Sequence, residues 1–234
     1  MSYIAITSNQ TRHRAFIDRL QRKVDLSLII SAEKKKGNPR FITSERLLLN
    51  KEWDPITTNL VECAPHQINS TRMSELIREF NPKVCFVFGA PLLKERIYGI
   101  PSQGTINIHT GLVQHHRGVD SPYWAIQESR PETIGATLHY IDSSIDGGDI
   151  IDQSQTKGLK VSDSPEDIFM KTCITGFDIL EKNLYTILDN SVDPRPLKER
   201  GKLYQVKDMS YGTMLEIRYK TPHLLKEFIN GNNS

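Results

Sequence analysis

The sequence predicts an α/β protein: a Rossmann-like open, mostly parallel twisted sheet with helices on both faces, plus a small C-terminal β-hairpin. Three observations lead there. The chain opens strand–helix–strand: an apolar run at Tyr3–Thr7 ends in Ser8-Asn9-Gln10-Thr11, Ala15, Phe16, Ile17 and Leu20 recur at helical spacing, and Val24–Ile30 is β-rich. Val84–Phe88 (VCFVF) shows no polar alternation, as a central strand covered on both faces requires. Strand-like and helical runs then keep alternating, the pattern of parallel strand–helix–strand units.

The elements follow in order. Glu33–Arg40 combines charge, Gly and Pro and reads as a loop, and Ser44–Trp53 reads as a helix. Val61–Ala64 is a short strand, and Thr71–Phe80 carries a helical apolar pattern that stops at Asn81-Pro82. Leu92–Ile97 is a short helix, Thr105–Ile108 a strand, and Pro122–Glu128 a helix. Ala136–Ile141 and Ile150–Gln153 are strands around DSSIDGGD. Ser164–Leu188 is a long amphipathic helix opened by Ser164-Pro165-Glu166 in cap and first-turn positions. Pro194 and Pro196 mark a boundary, which divides the chain into a catalytic domain over 1–190 and a tail over 191–234. In that tail Lys202–Val206 and Met214–Tyr219 flank Tyr211-Gly212 as a hairpin, a candidate dimerisation element.

Composition excludes several classes. With 30 Lys+Arg against 28 Asp+Glu, the net charge of +2 gives no electrostatic case for a large nucleic-acid partner. No run approaches a membrane span, and MSYIAITSNQTRH turns polar too early for a secretory leader. Cys63, Cys85 and Cys173 are odd in number and unclustered, which fits a reducing cytoplasm.

Polar residues that call for a chemical account cluster between 105 and 149. Asn107 and His109 alternate with Ile106 and Ile108, so both point to one face of a strand, at the end where open parallel sheets bind ligands. Taken alone, that histidine reads equally as a hydrogen-bonded structural residue, and Asp146-Gly147-Gly148-Asp149 as a turn rich in positive φ. Together they form an ordered series: Asn107-x-His109, Arg117-Gly118, Gly135-x-Thr137-x-His139 and Asp146-Gly147-Gly148. In order and spacing, this series resembles the folate-dependent formyltransferase family, densely from Val84 to Gln153 and at lower specificity through Leu188.

The resemblance implies transfer of a formyl group from 10-formyltetrahydrofolate, as co-substrate, to an amine, without a metal. His109 is expected to stabilise the oxyanion, Asn107 to hold the formyl oxygen, and Asp146 to take a proton through water or to set the protonation of His109. The folate pocket maps to Gly89, Ala90, Pro91, Leu92 and Leu93 and to Asp142, Ser143, Ser144 and Ile145. Leu92 and Leu93 read equally as helix core. The chain departs from the family pattern at Thr110-Gly111-Leu112-Val113-Gln114, where many members carry Pro-Ser-Leu-Leu-Pro, and at His115 and His116. No cysteine or helical His pair supports a metal at His109, His115 and His116.

Residue types also bear on the acceptor. The loop Asn9, Gln10, Thr11, Arg12 lacks the glycines of the purine-pathway members, and opens a helix that reads either as an anion site helped by Arg12 and Arg14 or as a capped, solvated start. The tail after Asp189 is expected to be too short for the extra domain of the initiator-tRNA members. The resemblance therefore points to the sugar nucleotide N-formyltransferases, with a GDP-linked 4-amino-4,6-dideoxy sugar (perosamine) as the expected substrate and a dTDP-linked one second, in O-antigen or capsule precursor synthesis. A phosphoribosylglycinamide formyltransferase and a non-catalytic folate or sugar nucleotide binder are the alternatives. The segment Arg117-Gly118-Val119-Asp120-Ser121-Pro122-Tyr123-Trp124 is expected to border the sugar, with Tyr123 and Trp124 reading equally as packing residues, Lys34–Lys36 to assist with a diphosphate, and Tyr204, Tyr211 and Tyr219 to stack on a base or pack on strands. A cytoplasmic homodimer without nucleic-acid or membrane partners completes the expectation.

Overall fold

A computed structural model describes residues 2–33, 41, 43–45 and 53–231. In chain order the elements are β1 (Tyr3–Ser8), α1 (Thr11–Gln21), β2 (Leu26–Ala32), β3 (Asn59–Cys63), α2 (Thr71–Glu79), β4 (Val84–Phe88), α3 (Glu95–Tyr98) and β5 (Thr105–His109). There follow β6 (His116–Gly118), α4 (Ser121–Gln127), β7 (Gly135–Tyr140), β8 (Ile150–Gln155), α5 (Pro165–Leu188), β9 (Lys202–Tyr204) and α6 (Tyr211–Gly231). The loop expected over Glu33–Arg40, with Lys34–Lys36, and most of the helix expected over Ser44–Trp53 lie outside the described residues.

The main sheet has seven strands in the order β3-β2-β1-β4-β5-β7-β8. The first five are parallel, and β7 and β8 turn antiparallel at one edge. Alternate residues of β1 separate into two cores: Tyr3 and Ala5 join α1 and α5 on one face, whereas Ile4 and Ile6 join α2 and α3 on the other. That division explains the unbroken apolar run of β4, whose side chains are buried on both faces. No helix of the described residues is long and apolar enough to cross a membrane.

Helix α5 begins where the sequence places it. Ser164 Oγ accepts from the Asp167 amide at 3.1 Å, and the Asp167 carboxylate accepts from the Ser164 amide at 2.9 Å, a reciprocal cap with Pro165 behind it.

The C-terminal tail corrects the expected hairpin. β9 forms, but pairs in parallel with β6 as a separate two-stranded sheet, and Met214–Tyr219 lies inside helix α6. Over six residues the apolar positions fit either period. Over twenty they follow the helical one, because Ile217, Thr221, Leu224 and Leu225 are the buried positions of α6. Ser210 starts it: its hydroxyl accepts from the Thr213 amide at 3.0 Å, so Tyr211-Gly212 is a first helical turn and not a hairpin bend.

Helix α5 meets the sheet at Gly176, where a Cβ would stand 2.4 Å from Ile108 Cγ2 on β5. Ile108 is 4% exposed and its γ-methyl cannot retreat. Gly176→Ala should therefore lower stability by about 1–3 kcal/mol in a denaturant titration, despite the better helix propensity of alanine, because overpacking outweighs it.

Candidate active site

The β5–β7 register builds the centre of the site. It places Asn107 opposite His139 and His109 opposite Thr137, and since Ile106 and Ile108 belong to the α5-side core, Asn107 and His109 share the other face as expected. Asn107 Nδ2 and His139 Nε2 are 3.1 Å apart, and His139 Nδ1 lies 2.8 Å from the Tyr140 carbonyl. A carbonyl only accepts, so Nδ1 carries the proton there and Nε2 receives one N–H of Asn107. The second N–H of that amide is left to donate into the cleft.

His109 is fixed in the same way. Its Nε2 sits 3.0 Å from the His116 carbonyl, with Ser121 Oγ at 3.1 Å, so Nε2 is the protonated nitrogen of the neutral ring. Nδ1 then faces Asp146 Oδ2 at 3.4 Å. The opposite carboxylate oxygen is 3.7 Å from His139 Nε2, and Oδ2 also accepts from the Gly118 amide at 2.8 Å. Burial pulls the His109 pKa below its ordinary value, with the Asp146 carboxylate opposing it. Burial would raise the Asp146 pKa, but His109, His139 and the Gly118 N–H together hold it well below the usual carboxylate range.

The expected glycine turn is built otherwise than its composition suggests. Positive φ falls on Asp146 itself, at +47°, which aims its carboxylate inward. Gly148 is required for space, because a Cβ there would stand 2.0 Å from the Tyr140 carbonyl.

These three residues face a cleft of about 740 Å³. Every residue of Gly89–Leu93 and of Asp142–Ile145 lines it, as do Ile141, Gly118–Asp120 and Leu203–Val206. Leu93 is buried, whereas Leu92 is 67% exposed and serves the cleft rather than the core.

The residues expected around the acceptor are distributed differently. Arg12 reaches the cleft wall, but its guanidinium is buried against Glu45 at 2.6 Å and lies over the rings of Phe41 and Phe169. Asn9, Gln10 and Thr11 are outside the described cleft wall. Arg117 ties two loops together, donating to the Ile145 carbonyl at 3.0 Å and the Gly201 carbonyl at 2.8 Å. Tyr123 is fully buried in the core near Phe169, the packing alternative for that residue. Tyr204 stacks on Trp124, and Tyr211 and Tyr219 are exposed on α6.

Several participants escaped sequence reasoning. His139 stands in the quoted motif, and its alternation with Thr137 was the signal for it. The His116 carbonyl and Leu203, Gln205 and Val206 carried no local signal, since each arrives through tertiary folding, and Ser121, read with its segment as a border of the sugar, instead meets His109 Nε2. His116 is fully buried with Nε2 3.0 Å from Glu128, a structural assignment for one of the two histidines that depart from the pattern.

Known proteins resemble this chain in sequence and in fold. The formyl transferase family profile matches residues 5–180. The methionyl-tRNA formyltransferase of Desulforamulus reducens is 27% identical over 217 residues, 91% of this chain and 63% of its own length. The bifunctional polymyxin resistance protein ArnA of Wigglesworthia glossinidia brevipalpis is 30% identical over 130 residues, 55% of this chain and 20% of its own. The chain thus spans less than two thirds of these relatives. A 4-N formyltransferase from Francisella tularensis superposes with a TM-score of 0.67 at 18% identity, over 94% of this chain and 87% of that one. An N-formyltransferase from Helicobacter canadensis, in complex with folinic acid and dTDP-3-aminofucose, gives 0.61 at 14% identity, over 94% and 79%. Sequence profile, site and fold agree: the chain belongs to the formyl transferase family.

Proposed function

We propose that this protein transfers the formyl group of 10-formyltetrahydrofolate to the primary amine of a nucleotide-linked 4-amino-4,6-dideoxy sugar, GDP-linked first and dTDP-linked second. The convergence of Asn107, His109 and Asp146 on one wall of the cleft carries this reading. Ala90, Pro91, Leu92, Ile141 and Ile145 give that cleft apolar walls suited to the flat pterin of a folate, whose N10 formyl group would be the one transferred. What supports a sugar nucleotide is the Helicobacter canadensis complex and the 94% of this chain that the Francisella tularensis enzyme covers. Transfer to methionyl-tRNA is the second reading, favoured by the Desulforamulus reducens relative. The homodimer and the polysaccharide-precursor setting rest on the resemblance.

The chain's own groups divide the work. Asn107 donates its second N–H to the formyl oxygen, where charge develops as the amine attacks, an interaction worth about 3 kcal/mol of barrier. His109 has Nε2 committed to the His116 carbonyl, so Nδ1 is the edge that serves the reaction. With its pKa lowered, that nitrogen is unprotonated near neutrality and takes the proton the amine releases. Asp146 stays ionised and stabilises the imidazolium that results, which returns its proton to N10 of the leaving tetrahydrofolate as the formyl carbon–N10 bond breaks.

Incubation with the formyl donor and a panel of acceptors tests the reading. Tetrahydrofolate release with a 4-amino sugar nucleotide is expected. Release with methionyl-tRNA or glycinamide ribonucleotide alone would replace the substrate, and release with none would reduce the protein to a binder. His109→Asn and Asp146→Asn should each lower kcat at least ~100-fold with the fold intact. The pH profile has a definite sign: a base must be unprotonated, so kcat/KM rises through the His109 titration, below the ordinary imidazole range, and then levels off. Falling activity over that interval would exclude His109 as the base.

A further inference from the structure

Strand β9 lies beyond residue 180, where the family match ends, and still reaches the centre of the site. Its partner β6 places two backbone groups on the reacting pair: the His116 carbonyl on His109 Nε2 at 3.0 Å and the Gly118 amide on Asp146 Oδ2 at 2.8 Å. Among the described residues, β9 is the strand that β6 pairs with. The contact is close: Gly118 has φ +88°, and a Cβ there would fall 2.0 Å from the Tyr204 carbonyl, which accepts from the Val119 amide at 3.1 Å.

Side chains lock the two strands in place. The Tyr204 ring stacks on Trp124 with centroids 4.0 Å apart and planes 7° apart. Its hydroxyl donates to Glu128 Oε1, and Glu128 Oε2 accepts from His116 Nε2 at 3.0 Å. Hydrogen bonds from Tyr204 and His116 overcome the burial that would raise the Glu128 pKa, so the carboxylate stays ionised and strongly accepting.

We propose that Tyr204 and Glu128 are positioning residues that hold β6 where the His116 carbonyl selects the Nε2–H tautomer of His109. The consequence for chemistry is specific. If β6 recedes, Nε2 loses its acceptor and the neutral ring moves its proton to Nδ1, where Asp146 accepts it. Nδ1, the nitrogen that faces Asp146, then already carries a proton and cannot take the one the amine releases. The inference rests on the proposed function only for its kinetic consequence; the tautomer is a property of the protein alone.

The test pairs Tyr204→Phe, which keeps the Trp124 stack and removes only the hydroxyl, with Glu128→Gln. Long-range proton–nitrogen NMR of the imidazoles should show Nε2–H for His109 in the parent protein and a population shifted toward Nδ1–H in both variants. kcat should fall about tenfold, with the KM for the formyl donor within twofold of the parent. A His109 spectrum unchanged in Tyr204→Phe overturns the proposal, whatever kcat does. If the parent protein transfers no formyl group to any acceptor, the proposed function fails and the spectrum still decides this inference. If Glu128→Gln does not fold, Tyr204→Phe decides it alone.

Discussion

The site depends on keeping one carboxylate ionised out of water. Asp146 has 15% of its side chain exposed, and desolvating a carboxylate costs several kcal/mol unless other groups meet its lone pairs. The Gly118 amide of β6 donates to it at 2.8 Å, and the imidazoles of His109 on β5 and His139 on β7 stand 3.4 and 3.7 Å away, where the carboxylate stabilises any proton they take up. Three separate elements therefore converge on this one carboxylate. That convergence ties the edge of the main sheet to the small sheet beside it. It also accounts for a non-glycine residue in the left-handed region at Asp146, a strain of about 1–2 kcal/mol that aims the carboxylate at its partners.

Polarity of the sheet places this convergence. Strands β1 to β5 run in parallel, and their side chains are buried on both faces by helices, leaving ligands the ends of the strands. At β7 the direction reverses, so two residues from different stretches of chain, Asn107 and His139, stand opposite each other and hydrogen-bond directly. The segment after β7 then returns along the cleft as Ile141–Asp146 and supplies one of its walls. Arg117 fixes that wall to the C-terminal segment through two backbone carbonyls. An arginine that reads as a ligand contact in the sequence is thus a brace in the structure, because both carbonyls lie within reach of its planar fork.

Much of the fold was legible because its signals are local. The uniform apolar run of β4, the Ser164-Pro165 start of α5 and the alternation of Asn107 with Ile106 and Ile108 each follow from periodicity or capping chemistry within a few residues. The tail was not, since a six-residue window at Met214–Tyr219 fits a strand or a helix equally. Burial of Leu224 and Leu225, farther along, resolves it. Among the acceptor residues, Tyr123 read equally as a border of the sugar and as a packing residue, since local sequence does not show which way its ring points. Its position in α4 instead turns it into the core.

By itself, then, the sequence determined the fold class, the family resemblance and the residues Asn107, His109 and Asp146, together with the two loops that line the cleft. Spacing along the chain and side-chain chemistry suffice for those. Only the tertiary structure decided which nitrogen of His109 faces Asp146, that Arg12 pairs with Glu45, and that Leu203, Gln205 and Val206 join Tyr204 at the cleft. Each of these is a contact between segments far apart in the chain. A tautomer in particular is set by one backbone carbonyl at 3.0 Å, and backbone carbonyls carry no identity that a sequence can display.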